Sequence, residues 1–303
     1  MTISPSASTE PPPETEEDGD GCGPERRGGR DDRLLAPTLW TARAIVPVLV
    51  AAFVILYLFP GDTMRLWSWM ICPEMSALVM GAGYLAGAWF FLRVAGTREW
   101  HRVAPGFVAT TVFTGLLLLT TVLHWDAFNY DHVSFWAWLG LYASTPFLLP
   151  VLWRNNQRTD PGPVPGEARV PRPLRLVVGL GGALQLALAV MMFVRPTVVE
   201  DTWPWELQPA TTRSLAAFIA FPAVTWLWFL FEDRWSSFRI TQQTATFGLV
   251  LIGIGALRAR REFRDGWESP TYAAALVLAL ALNVALYVVM ERRARRVLVS
   301  VDR

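Results

Sequence analysis

The feature that most constrains this chain is a series of eight stretches that contain no charged residue. Each is close to the length of roughly 20 residues that a helix needs to cross the apolar core of a bilayer. Such stretches are apolar around the whole helix, whereas a helix at the surface of a soluble protein keeps a polar face. Together with 52% hydrophobic and 17% charged residues, they predict an all-α polytopic membrane protein with eight transmembrane helices. The eight stretches are residues 44–61, 75–92, 103–123, 133–153, 176–194, 214–231, 240–257 and 269–290.

The remaining segments are short or polar. Residues 1–36 are rich in proline, glycine and acidic residues, a composition that predicts a disordered cytoplasmic tail. This acidic start is unlike a secretory signal peptide, so the first helix is expected to be a retained anchor. The prolines of residues 155–173 predict an extended, solvated linker on the cytoplasmic side, and residues 297–303 are expected to form a second tail.

The distribution of arginine indicates the orientation. All 27 basic residues are arginine, and 20 of them fall in the segments that are cytoplasmic if the N-terminus is inside, against 7 in the other loops. Because basic loops stay in the cytoplasm, a cell-membrane protein with both termini cytoplasmic is predicted. One outer loop, residues 258–268, departs from the rule because it holds four of the seven outer arginines.

A short pattern occurs twice. Pro-x6-Trp-x-Trp-x3-Pro spans residues 60–73 and recurs without a gap 136 residues later, at residues 196–209. Four spans separate the copies, and an even number gives both the same orientation in the membrane. The sequence therefore predicts two parallel four-helix repeats, residues 37–154 and 174–296, related by a pseudo-two-fold axis along the membrane normal.

Two loop sequences carry a family resemblance. Residues 203–209 read Trp-Pro-Trp-Glu-Leu-Gln-Pro, and residues 123–128 read Leu-His-Trp-Asp-Ala-Phe. Loops of this WPWxLxP type resemble those of uncharacterised multi-span prokaryotic membrane proteins. The resemblance covers the loop cores and their flanking spans. It implies the same architecture, but no activity and no catalytic residue.

The tryptophans of the repeated loops, Trp67, Trp69, Trp203 and Trp205, allow two interpretations. Tryptophan is enriched at membrane interfaces, where its apolar ring and polar N–H both find suitable surroundings. Two rings two residues apart also point the same way on an extended backbone and could enclose a ligand. An interfacial or re-entrant structural role is the favoured prediction, and ligand contact is the alternative.

Two outer loops of opposite charge occupy matching positions in the repeats. His124, Asp126 and Asp131 lie in the first, and Arg260, Arg261 and Arg264 in the second. One hypothesis is a salt-bridged outer lid between the repeats. The other is that the arginines bind an anionic headgroup or substrate. The His and Asp spacing matches no established metal signature.

The chemistry available to the chain is restricted. It has no lysine, only two cysteines, and no ionisable group inside the proposed spans, which disfavours an ion-coupled pump. No catalytic, cofactor-binding or metal-binding residue is therefore assigned. Gly179, Gly181 and Gly182 are expected to permit close helix packing, and Gln185 and Asn283 to bond between helices.

These observations favour a non-enzymatic membrane protein that is structural or binds a partner or lipid. The first alternative is a transporter or binder of a small molecule or lipid at the interface between the repeats. A lipid-modifying enzyme of the outer face is a distant third. The expected partners are membrane lipids and a cytoplasmic protein that binds the tail, with no nucleic acid.

Overall fold

The computed structural model describes residues 31–163 and 166–301. This part of the chain is helical and contains no named β-strand. A π-helical turn, Val54–Leu58, extends the first helix, and short 3-10 turns lie between several of the others. The α-helices are α1 Ala36–Phe53, α2 Thr63–Leu66, α3 Glu74–Gly96, α4 Ala104–Leu123, α5 Val133–Gln157, α6 Arg172–Val194, α7 Pro209–Leu227, α8 Trp235–Arg258 and α9 Glu268–Val301.

Eight of the helices in the described residues are long and apolar enough to cross a membrane, and only the four-residue α2 is not. Each of the eight contains or overlaps one of the uncharged stretches in the sequence. The prediction of an all-α polytopic membrane protein is therefore confirmed.

Proline sets the start of four long helices. A proline occupies the first or second position of α1, α4, α6 and α7. At that position a backbone N–H would have no acceptor within the helix, so proline, which lacks an N–H, loses no hydrogen bond there. The fixed φ of proline also suits the helix. The sequence thus marks these helix starts directly, between one and eight residues from the starts of the apolar stretches.

Four inner helices, α3, α4, α7 and α8, form the centre of the bundle. The helix α3 packs against α1 and α8, while α4 packs against α5 and α7. Of the outer helices, α6 packs mainly on α7, and α9 packs mainly on α8. The first half of the chain contains α1 to α5 and the second half α6 to α9. Each half contributes two helical hairpins, and these pack on helices of the other half, so the two halves form one bundle.

The same backbone pairing occurs once in each half. The N–H of Trp100 donates to the carbonyl of Asp32 at 2.8 Å, and the N–H of Trp235 donates to that of Ala168 at 3.0 Å. Isolated bridges flank both, Arg33 with Glu99 and Arg169 with Arg234. These pairs recur at an offset of 135 or 136 residues, which supports the duplication; the duplication itself stays a prediction.

The predicted polar segments are more ordered than expected where the structure describes them. Leu34 is buried, and its N–H donates to the carbonyl of Arg98, so residues 32–35 are not part of a disordered tail. In the linker, α5 continues to Gln157, and Asp160, Ala168 and Val170 are buried. At the other end α9 continues to residue 301. Residues 1–30 and 302–303 of the two predicted tails lie outside the described residues.

Candidate functional site

The repeated tryptophan loops lie inside the protein. Trp67 is 5% exposed, Trp69 4% and Trp205 1%, while Trp203 is half-buried. They pack edge-on or tilted against other aromatic rings, the arrangement that the ring quadrupoles favour. The rings are therefore buried in contacts within the protein, and their predicted position at the membrane interface stays a prediction. The ring neighbours are Tyr84, Phe128 and Trp138 in the first half, and Phe263 and Tyr272 in the second.

Ligand contact by these rings stays a prediction. Trp205 donates to the Ser76 hydroxyl at 2.8 Å. The indole N–H groups of Trp67, Trp69 and Trp203 are buried and have no hydrogen-bond partner among the described residues.

The structure does not join the two charged outer loops. No ion pair among the described residues links residues 124–132 to residues 258–268. His124 instead accepts a hydrogen bond from Arg213 at 2.6 Å, and Arg264 donates to the carbonyl of Glu200 at 2.8 Å. Asp126, Asp131, Arg260 and Arg261 are exposed. Among the described residues each loop bonds instead to nearby loops and helices, and no salt-bridged lid is formed.

The surroundings of His124 change the pKa of its imidazole. Burial lowers the pKa of its imidazole, and the positive charge of Arg213 lowers the pKa further. The ring is therefore neutral at pH 7, as its role as acceptor for Arg213 requires.

One residue of the basic loop has a role that the sequence did not indicate. The Glu262 carboxylate accepts hydrogen bonds from the backbone N–H groups of Glu74 and Met75, at 2.9 and 2.7 Å. These are free N–H groups at the start of α3, where a negative charge is stabilising. The basic loop of the second half thus caps a helix of the first.

The main candidate site is a cavity of about 220 Å³ among the inner helices. No charged side chain of the described residues lines it. Helices of both halves contribute to its wall, so it lies at the interface between the predicted repeats. Its apolar lining includes Phe90, Phe113, Phe218 and Phe221, and its polar lining includes Thr110, Thr114, Gln185 and Gln242.

Two polar features stand out in this wall. The hydroxyls of Tyr84 and Tyr142 are 2.9 Å apart and form a buried hydrogen bond. Gln242 is 1% exposed, and neither atom of its amide has a partner among the described residues. Burying an unsatisfied amide is costly. A ligand that bonds to it would recover part of that cost.

A second cavity of about 360 Å³ lies between α1 and α5. It shares Leu49, Tyr84, Leu141 and Tyr142 with the central cavity. The tyrosine pair therefore stands in the wall between the two spaces.

A polar cluster lies at the opposite membrane face from the tryptophan loops. Asp32, Glu99 and His101 place potential metal-ligand atoms within 4.8 Å of one another, a donor set that suits first-row divalent ions. Both ring nitrogens of His101 already have partners, however, in Asp32 and Ser236. The arrangement is thus a hydrogen-bonded network. Sequence reasoning missed it because Asp32 was placed in the tail, and only its position near His101 in space brings the two together.

Comparison with known proteins gives no further assignment. No protein-family model, no curated protein and no solved structure matches this chain. Its function must therefore be inferred from its own geometry.

Proposed function

We propose that this protein binds an apolar, lipid-derived molecule in the central cavity between its two repeats. The observation that carries the proposal is the cavity itself, which both halves line and which has apolar walls with a few hydrogen-bonding groups. Ligand pockets commonly have this make-up. The absence of charge from its lining opposes coupled ion transport.

The size of the cavity restricts the ligand. An apolar cavity of about 150 Å³ can hold a benzene molecule, and drug-sized ligands need roughly 300 Å³ or more. The central cavity, at about 220 Å³, lies between these limits. It suits one segment of an acyl or isoprenoid chain with a hydroxyl or carbonyl that bonds to the Gln242 amide, and it is too small for a whole phospholipid.

The second cavity supplies a route from the bilayer. Val48 and Val133 in its wall are 39% and 80% exposed, so the space borders the surface that lipid would cover. A chain segment entering between α1 and α5 reaches the central cavity at the Tyr84–Tyr142 pair. Binding and release would then require these two rings to move.

Filling the cavity is expected to abolish binding. The Ala245→Phe variant should lose co-purifying lipid measured by native mass spectrometry in nanodiscs, because its ring occupies the central cavity. The matched control is Ala274→Phe on the exposed face of α9, which makes the same change outside the cavity. Equal lipid retention in both variants, with both folded, would refute the proposal.

The proposed orientation places the tryptophan loops outside the cell membrane and both termini in the cytoplasm. The arginine distribution supports it, since the helix ends of the structure leave the arginine-rich segments on the predicted inner side. The same orientation relates the two repeats as parallel copies.

Native Cys72 tests this orientation. Cys72 is exposed in the first tryptophan loop. In a Cys22→Ser variant, a membrane-impermeant maleimide should label Cys72 in intact cells. In a second variant, Cys22→Ser, Cys72→Ser and Arg158→Cys, the new cysteine should react only after the cells are permeabilised. Labelling of position 158 in intact cells would show that the proposed orientation is reversed or that the number of spans before it is wrong.

A cytoplasmic partner for residues 1–30 remains the rival proposal. It needs no cavity. Deleting those residues should leave lipid retention unchanged if the cavity is the functional site.

A further inference from the structure

The polar network at the inner face contains a serine, a histidine and an aspartate in a specific order. Nδ1 of His101 contacts the Asp32 carboxylate, and Nε2 of His101 lies 3.0 Å from the Ser236 hydroxyl. The Asp32 carboxylate also accepts a hydrogen bond from the backbone N–H of His101 at 3.0 Å, which fixes the ring relative to the carboxylate. This is the atom order of a nucleophile, a base and the group that orients the base.

Each member comes from a different part of the fold. Asp32 precedes α1, His101 lies in the turn between α3 and α4, and Ser236 is in the first turn of α8. His101 and Ser236 are 135 residues apart and occupy matching positions of the two predicted repeats. The first turn of α8 also provides the positive end of a 24-residue helix, which favours negative charge developing on the serine oxygen.

The Asp32 carboxylate is not needed for the backbone hydrogen bond between Trp100 and Asp32. In the second half, Ala168 occupies the position of Asp32 and accepts the equivalent hydrogen bond from Trp235 without a polar side chain. The backbone pairing therefore forms equally well with alanine. The Asp32 side chain serves His101, whose side chain is 12% exposed and so is within reach of a small reagent.

A fourth residue modifies the network. The Ser236 hydroxyl also contacts the Glu167 carboxylate, which can only accept hydrogen bonds. If Ser236 donates its single proton to Glu167, His101 must donate to Ser236 from Nε2, and the imidazole then cannot act as a base. Glu167 thus opposes the transfer of the serine proton to His101.

We propose that Ser236, His101 and Asp32 form an acyl-transfer site for carboxylic esters at this membrane face, restrained by Glu167. Ser236 Oγ forms a bond to the ester carbonyl carbon while its proton passes to His101 Nε2. The bond to the leaving alcohol oxygen then breaks, and that oxygen takes the proton from Nε2. Water hydrolyses the acyl-serine by the same proton path in reverse. Helix ends at the headgroup level suit the ester bonds of membrane lipids.

A fluorophosphonate probe tests the site without knowledge of the substrate. An activated serine attacks the phosphorus and expels fluoride, which leaves a stable adduct on Oγ. The full-length protein in nanodiscs should become labelled on Ser236, as read by peptide mapping. Labelling of the Glu167→Gln variant should be at least about tenfold faster, because an amide at this position can donate to Oγ and so leave its proton for His101.

Variants of the network separate reactivity from folding. His101→Ala and Asp32→Asn should each slow labelling by about 10²-fold or more, and Ser236→Ala should abolish it. The matched control is Ser237→Ala, a buried neighbour outside the network, which should label as the parent does. Thermal melting confirms that each variant is folded.

Two results would overturn the proposal. One is the absence of any adduct on Ser236 in both the parent and Glu167→Gln, while a soluble serine hydrolase is labelled in the same nanodisc preparation. The other is labelling of Ser236 that is unchanged by His101→Ala, which would indicate exposure alone. A network that only holds the helices together predicts loss of stability in His101→Ala and no adduct in any variant. None of these results depends on the central cavity, so this site and the proposed lipid binding succeed or fail separately.

Discussion

Replacing Arg234 with alanine is expected to lower the free energy of unfolding by about 3–5 kcal/mol. Arg234 is 4% exposed and donates two hydrogen bonds of 2.8 Å to the Asp160 carboxylate. It also donates to Glu232 at 2.7 Å. Without the guanidinium, the Asp160 carboxylate would stay buried without its main cation, and the linker would lose one of its attachments to the start of α8. Unfolding in mixed detergent, followed by tryptophan fluorescence, measures the change.

Arg239→Ala is the matched control for this prediction. Arg239 is paired to Glu291 at 2.8 Å, but its side chain is 47% exposed. Solvent weakens such pairs, and their loss costs at most about 1 kcal/mol. Equal losses in the two variants would show that burial of the Arg234 pair has no special effect on stability.

The Arg234 effect should depend on pH. Burial by itself raises the pKa of Asp160, but hydrogen bonds from Arg234 and from the N–H of Gly162, with the arginine charge, hold that pKa below its ordinary value. A carboxyl whose folded pKa is lowered adds stability that is complete above its unfolded pKa, about 3.9, and is lost as pH falls through the folded value. In Arg234→Ala burial acts without the arginine and raises the pKa of Asp160, so that carboxyl becomes protonated at a higher pH than in the parent. The difference in stability between parent and Arg234→Ala should therefore be larger at pH 7 than near pH 4, and smallest below about pH 4.

The sequence predicted the spans because membrane insertion depends on local composition. Each long helix needs only its own apolar residues, and prolines at the starts of α1, α4, α6 and α7 add a local signal. The positions of the loop side chains depend instead on contacts with other parts of the chain. The preference of tryptophan for membrane interfaces predicts the depth of Trp67 and Trp205 but not their neighbours, and in the structure both rings are buried among other rings of the same protein.

The candidate sites depend on contacts between distant residues. The central cavity is made by helices of both halves, and no single stretch of sequence reveals its volume. Glu262 bonds to a helix start 187 residues away, and Asp32 bonds to a histidine 69 residues away. A repeat can be read from spacing, but which side chains then meet at its interface depends on the packing of the helices.

The glycine cluster of α6 shows, for single residues, that helix contacts cannot be read from the sequence. It also leads to a second prediction of a large effect on stability. A Cβ at Gly182 would lie 2.6 Å from the backbone nitrogen of Leu227 and 2.8 Å from the carbonyl oxygen of Ala223. Both belong to the backbone of α7, which cannot yield without separating the helices. At Gly181 the nearest atom is Cε3 of Trp226, at 3.9 Å. Sequence alone treats the two positions alike.

Gly182→Ala is therefore expected to destabilise the protein by about 1–3 kcal/mol, and Gly182→Leu by more, because α6 can no longer pack closely on α7. Gly181→Ala should instead be neutral or stabilising by up to about 1 kcal/mol, since alanine favours the helix and meets only an ordinary contact. The same detergent unfolding assay measures all three variants. Gly179→Ala should fall between the two alanine variants, because the atoms near its Cβ belong to the flexible side chain of Leu230. Equal stabilities for Gly181→Ala and Gly182→Ala would mean that α6 and α7 are not held together at this distance.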